Sequence, residues 1–315
     1  MIERTVAVLA GGLSHEREVS LRSGRRLAAA LRAAGSDVRE WDVDAALVER
    51  LRSDPPDAVA IALHGGEGEN GSVQAVLELL GVPFVGTPAH ACRRAWDKPT
   101  AKAEFARAGL DTPEWVALPH TTFRALGAQT VLDAMVDRLG LPLMLKPDQG
   151  GSALGAQVVS ERAELPAAMV SCLAYGDTVL AEQFIAGTEV AVSVVEDQDG
   201  PRALPPVEVD AEGGIYDYTA RYTPGAAVFH TPARLDATTL ARLEDTALAA
   251  HRLLGLRDVS RMDAVVDGDG RVQILEVNVS PGLTETSLLP LAVSAAGMKL
   301  GELYTALVER AVARD

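Results

Sequence analysis

The chain has 315 residues, enough for two or three folding units, with 48% hydrophobic and 23% charged residues, the balance of an ordinary globular protein. Lys+Arg 29 against Asp+Glu 44 leaves a net charge of −15, which excludes a general nucleic-acid binder, since such proteins need basic patches to displace counterions. Only two cysteines, Cys92 and Cys172, are present, so no disulfide framework is expected and a reducing cytoplasm fits best. No signal peptide is visible after Met1, and no apolar run reaches the roughly 20 residues of a membrane span.

In chain order, Thr5 to Ala10 reads as a strand buried on both faces, followed by Gly11-Gly12 and a helix over Glu18–Ala34 closed by Gly35. Val38–Asp42 and Asp57–His64 predict further strands, the latter running into Gly65-Gly66. Ser72–Leu80 is helical and Pro83–Gly86 strand-like. This alternation predicts an open parallel sheet over residues 1–95, with ligands at the carboxyl ends of its strands. The middle, 96–185, opens with a helix over Lys98–Ala108. Strands are expected at 116–118, 143–146, 157–159 and 178–182, with a glycine-rich loop at 150–155. In the last part, 186–315, Glu189–Val195 is a strand and Thr238–Leu254 a helix capped by Gly255. The segments 259–267 and 272–276 flank Asp267-Gly268-Asp269-Gly270 and predict a hairpin.

Three groups of residues point to chemistry. Side chains alternate along a strand, so Glu276 and Asn278 face the same way; with Asp263 opposite, three hard oxygen donors converge, as magnesium bound to phosphates requires. The bland alternative is a polar hairpin face, but the segment is otherwise apolar, and carboxylates there need partners. Lys146 ends an apolar strand and either snorkels at its edge or binds phosphate. The glycines of 150–155 favour phosphate, because they let backbone N–H groups approach its oxygens. No Walker A sequence is present, and Gly11-Gly12 does not open a G-x-G-x-x-G dinucleotide fingerprint. Finally, Glu16 stands beside Gly11-Gly12 at a strand end, where a carboxylate could hold a substrate ammonium. Ser14 is an N-cap candidate, and His64 is either a satisfied structural histidine or part of the cleft.

Together these features resemble the D-alanine–D-alanine ligase family of the ATP-grasp superfamily. The resemblance spans roughly 5–310. It rests on 11–20 (GGLSHEREVS), His64-Gly65 with Glu69-Asn70-Gly71, Asp97-Lys98, Lys146-Pro147 and 151–155 (GSALG). It continues through 216–222 (YDYTARY), Arg261-Met262-Asp263 and 276–284 (EVNVSPGLT). It implies an α/β fold, α+β in parts: an N-terminal open parallel-sheet domain, a small central α+β domain and a C-terminal mixed-sheet domain. It also implies ATP-dependent joining of two D-alanines through an acylphosphate, with two Mg²⁺ ions (Mn²⁺ as a substitute), and a cytoplasmic homodimer serving peptidoglycan synthesis.

Carried over residue by residue, the resemblance makes Asp263, Glu276 and Asn278 the metal ligands and puts Lys98 and Lys146 on ATP phosphates. Glu182, Gln183 and Ile185 would line the adenine pocket, with Glu189 near the ribose. Glu16 would bind the first D-alanine's ammonium, with His64 nearby, and Ser287 the second one's carboxylate. Arg261 and the backbone N–H of Gly282 would form the oxyanion site. Tyr222, on a lid over 210–228, would reach toward Ser152 and Glu16 and favour a dipeptide over a depsipeptide product. Ala153 stands where the family often has a second serine, and Arg221 where lysine is common.

Overall fold

Three sheets organise the chain. The structure, a computed structural model, describes residues 4–211, 216, 221 and 225–314. The first sheet contains β1 (Thr5–Ala10), β2 (Asp37–Asp42), β3 (Ala58–Ile61) and β4 (Phe84–Val85), all parallel, in the order β2-β1-β3-β4. Val6, Ala7, Val8 and Leu9 are fully buried, as an apolar run covered on both faces requires. The first helix, Arg17–Ala33, covers one face through Leu27, Ala28 and Leu31. Its partner there is the helix Leu300–Ala313, with Leu303, Leu307 and Val308 in the same cluster. The two helices approach so closely that a Cβ on Gly301 would lie 2.3 Å from the carbonyl oxygen of Ala30. β3 is shorter than the expected 57–64: its last bond to β1 is Ala62 N–H donating to Leu9 O at 2.8 Å, and the chain beyond it carries His64 toward the cleft.

The second sheet is antiparallel, β5 (Trp115–Pro119), β8 (Thr178–Gln183), β6 (Leu143–Pro147) and β7 (Gln157–Val159) in that order. Its core, including Leu132, Leu143, Leu145 and Leu165, lies under the helices Ala128–Leu139 and Leu165–Leu173. The third sheet runs β12 (Ala227–His230), β11 (Val207–Ala211), β9 (Gly187–Asp197), β13 (Val259–Asp267), β14 (Val272–Asn278), with β10 (Gly200–Ala203) paired to β9. All its described pairings are antiparallel, which corrects the mixed sheet expected here. The reason is local: tight turns, not helical crossovers, join β9 to β10 and β13 to β14. The helix Ala237–Leu254 packs on this sheet and ends at Gly255 in the left-handed conformation, as its sequence predicts.

The helices Ala89–Trp96 and Lys98–Arg107 belong to the core of the third sheet, through Ala91, Cys92, Ala101 and Phe105. The side chain of Asp97 caps the second of them by accepting from Thr100 N at 2.8 Å, with Pro99 in its first turn. This places Lys98 at the helix start, facing both the second and the third sheet. No single described helix is long and apolar enough to cross a membrane.

Candidate active site

The β1–helix loop and the loop after β3 meet the second sheet's glycine loop at one carboxylate. Gly12 N donates to Asp42 Oδ1 at 2.9 Å, and Arg17 pairs with the same aspartate, whose carboxyl is lowered to about 2 chiefly by the Arg17 hydrogen bond. Ser14 does not cap the helix: its hydroxyl donates to His64 O at 2.6 Å and ties the two loops together. Glu16 occupies the cap position and accepts a hydrogen bond from Ser152 Oγ. A Cβ on Gly65 would lie 2.3 Å from Glu16 Oε2, and one on Gly151 2.7 Å, so both loops need glycine to close on this carboxylate. Burial raises the Glu16 pKa, against the lowering effects of Ser152 and Arg221. Ser152 and Ala153 both hold left-handed backbone, φ 54° and 56°. Such strain costs of order 1–3 kcal/mol per residue and collects at functional loops.

His64 is buried and doubly satisfied. Its Nδ1–H donates to Ser280 O at 3.0 Å, and Nε2 accepts from Ser23 Oγ at 2.7 Å; the partners assign this neutral tautomer. Burial lowers its pKa to about 4. Ser23 Oγ also accepts from Leu283 N at 3.1 Å, so this histidine and serine fasten the 280–283 turn to the first sheet. Glu69 lies beside them, 5% exposed, with Gly65 N donating to it at 2.8 Å. Burial and then the Glu16 charge raise its pKa to about 8.

The β13–β14 hairpin supplies the opposite wall. Asp263 pairs directly with Glu276 and Arg261 with Asn278, so all four side chains share a face. Arg261 holds Asp263 in a bidentate pair, Nε–Oδ1 2.6 Å and Nη2–Oδ2 2.7 Å. Asn278 Oδ1 accepts from Ser280 N at 2.7 Å. Glu276 lies 3.4 Å from Lys98 Nζ, which donates to Gly150 O at 2.7 Å. Its carboxyl is lowered to about 2: burial opposes ionisation, but Lys98, Lys146, Arg221 and Arg261 outweigh it. Ser287 Oγ donates to or accepts from Thr284 Oγ1 at 2.8 Å and accepts from Thr284 N at 3.0 Å, beside Gly282.

These residues enclose two adjoining spaces. The smaller, about 90 Å³, is lined by Glu16, His64, Glu69, Arg261, Gly282 and Ser287 among others. The larger, about 790 Å³, lies within the roughly 300–1,000 Å³ of small-molecule sites. Met144, Lys146, Gln183, Ile185, Glu189 and Leu275 are among its walls. Lys98, Gly150, Gly151, Tyr216, Arg221 and Glu276 border both. Gln183 Nε2 donates away from the cavity, to Leu139 O at 3.1 Å. Glu189 is raised to about 7, first by burial. The Arg221 guanidinium sits 4.4 Å over the Tyr216 ring. Tyr222, expected to close the site, lies outside the described residues.

A family model described as "D-ala D-ala ligase C-terminus" matches residues 105–309. The D-alanine–D-alanine ligase of Desulforudis audaxviator is 41% identical over 312 residues, covering 99% of each chain. The chain belongs to the D-alanine–D-alanine ligase family. The ligase of Moorella thermoacetica is 39% identical over 98% of this chain and 99% of its own. Among solved structures, the D-alanine–D-alanine ligase of Bacillus anthracis complexed with ATP has a TM-score of 0.80 at 27% identity, covering 98% of this chain and 97% of that one. VanG D-Ala:D-Ser ligase of Enterococcus faecalis has a TM-score of 0.83 at 26% identity, covering 98% and 99%. The three sheets are therefore the ATP-grasp fold of these ligases.

Reading the sequence missed two residues of this D-alanine–D-alanine ligase family member. Glu69 opens the Glu69-Asn70-Gly71 segment, yet nothing in the sequence marks it as a buried carboxyl. Lys102, 1% exposed, holds Glu182 Oε1 at 2.7 Å, and Lys146 holds Glu182 Oε2 at 2.6 Å. The Glu182 carboxylate, expected toward adenine, is thus engaged by two lysines. The signal for Lys102 is its spacing of four from Lys98, which puts both on one helix face.

Proposed function

We propose that this ligase joins two D-alanines at the expense of ATP, through an acylphosphate, giving D-alanyl-D-alanine, ADP and phosphate for peptidoglycan. The observation that carries the reading is the pair of adjoining spaces, one of amino-acid size and one of nucleotide size, meeting at Lys98, Glu276 and the 150–151 loop. Likeness to D-alanine–D-alanine ligases over 99% of the chain supports it.

In this reading Lys98 and Lys146 bind the ATP phosphates, while Gln183 and Ile185 line the adenine pocket and Glu189 meets the ribose. Glu182 contributes there through its lysines. The donor set Asp263, Glu276 and Asn278 is all hard oxygen, and Glu276 is held ionised, so the residues present fit magnesium. We assign them two ions, with manganese as a substitute; bound metal supplies charge neutralisation at the transferring phosphoryl group. Glu16 holds the first D-alanine's ammonium. Arg261 and Gly282 N–H stabilise the oxyanion that forms when the second amine attacks, and Ser287 holds that substrate's carboxylate. His64, neutral at pH 7, keeps the 280–283 turn in place for Gly282. The 150–155 loop, drawn to Glu16 by Ser152, shields the acylphosphate from water. A cytoplasmic homodimer is proposed on the family likeness alone.

The likeness to a D-Ala:D-Ser ligase favours one second reading, the same first step with D-serine as acceptor. Phosphate release from ATP over a panel of D- and L-amino acids and D-lactate, with products separated, decides. Release with D-alanine alone supports the lead reading. Mixed products with D-serine favour the second, and no release with any of them overturns both.

A further inference from the structure

Lys102 touches no substrate in the reading above. It lines neither space, yet its ammonium is fully inside the protein, where an apolar side chain of the same length would fill the volume without desolvation. Its Nζ donates to Thr112 Oγ1 at 2.5 Å and pairs with Glu182 Oε1 at 2.7 Å. Thr112 Oγ1 in turn donates to Ile274 O at 2.7 Å, two residues before Glu276 on β14. Met144 pairs with Glu182 across β6 and β8, so Lys146 is the diagonal neighbour of that carboxylate and reaches Oε2 at 2.6 Å. One buried carboxylate is therefore shared by two lysines, and only one of them borders the larger space.

We propose that Lys102 is a positioning residue for the nucleotide: by claiming one oxygen of Glu182, it leaves Lys146 anchored but not neutralised, so that the cluster presents net positive charge to the ATP phosphates. This rests on the nucleotide reading of the larger space. Two ammonium groups and one carboxylate sum to +1. Without Lys102 the remainder is a neutral Lys146–Glu182 pair, whose lysine must leave its carboxylate before it can serve a phosphate. Glu182 without any cation would be an uncompensated buried charge, so that pair would tighten. Burial lowers the Lys102 pKa to about 8 against the raising effect of Glu182, which fits an ammonium held in place by this partner. The same helix face thus sends Lys98 to Glu276 and Lys102 to Glu182, one cation to each side of the nucleotide cavity.

The test is a double-mutant cycle on the full chain, with magnesium-ATP binding by calorimetry and the Michaelis constants of ATP and D-alanine as readouts. Lys102→Met should weaken ATP about tenfold, the scale of one charged hydrogen bond, and leave the D-alanine constants within about twofold. In a Glu182→Gln background the same Lys102→Met change should cost no more than about twofold, because no carboxylate is left to neutralise Lys146 and Lys102 itself does not border the larger space. An equal ATP loss in both backgrounds, or D-alanine constants that move together with that of ATP, would overturn the proposal. Should Lys102→Met fail to fold, Glu182→Gln with and without Lys102→Met is compared alone, and a tenfold ATP difference between those two overturns it. Wild-type protein that does not bind magnesium-ATP would sink the nucleotide reading itself. Wild-type binding that is unchanged in Lys102→Met would sink only this inference.

Discussion

Glu276 and Glu69 face the same small space and are held in opposite protonation states. Glu276, on β14, has Lys98 at 3.4 Å and the field of Lys146, Arg221 and Arg261, and its carboxyl is lowered to about 2. Glu69, in the loop after β3, receives one backbone N–H and faces the Glu16 charge; it is raised to about 8. Burial acts on both in the same direction, so the cations decide. A strand hairpin that carries arginine beside its carboxylates, facing a helix that carries lysine, makes an ionised site. A glycine-rich loop that offers only N–H groups makes a neutral one.

The comparison breaks most visibly at Glu276. Glu276→Gln removes a charge that four cations are arranged around, and turnover should fall by about a thousandfold or more, the scale of several kcal/mol of phosphoryl charge stabilisation. The melting temperature should stay within a few degrees. ADP release at ordinary magnesium measures it, and near-wild-type turnover would remove Glu276 from the metal site. Glu16 stands between the two extremes, raised by burial and yet hydrogen-bonded by Ser152. Glu16→Gln should raise the Michaelis constant of the first D-alanine about ten- to a hundredfold, the worth of a charge-assisted hydrogen bond. ATP should move much less; equal shifts would mean that Glu16 only shapes its loop.

The smallest effect belongs to Glu69, and it is one of pH. A carboxyl whose pKa is raised on folding stabilises the fold fully below its unfolded value, near 4.5, and loses that contribution as pH rises through about 8. Glu69→Gln should therefore match the wild type in melting temperature at pH 5 and exceed it at pH 8.5. Parallel melting curves for the two proteins across that range would mean that Glu69 is not held neutral.

Local chemistry was legible in advance and remote packing was not. The apolar run 5–10, the Asp267–Gly270 turn and the left-handed cap at Gly255 each depend on a few adjacent residues, and the structure has all three as read. The facing of Glu276 and Asn278 followed from strand alternation, and Asp263 does pair with Glu276. What the sequence does not carry is which charge is spent on another. The bidentate Arg261–Asp263 pair and the shared Glu182 carboxylate depend on side chains meeting across strands or sheets. Lys102 reads as a solvated helix residue until the sheet beneath it is known. Ser14 read as a cap because capping is the commonest work for a serine before a helix; here the neighbouring loop claims its hydroxyl.

The closeness of Gly301 to Ala30 has a bearing on how the chain is made. The face of the first sheet covered by Arg17–Ala33 also needs Leu303, Leu307 and Val308, some 270 residues further on. At about 5–20 residues per second of synthesis, the first sheet, complete at β4, waits roughly 11–45 seconds on the ribosome with that apolar face uncovered. During this interval it is a natural substrate for a holding chaperone. The second sheet, whose core is closed by residues between 123 and 181, can form while the first is still waiting.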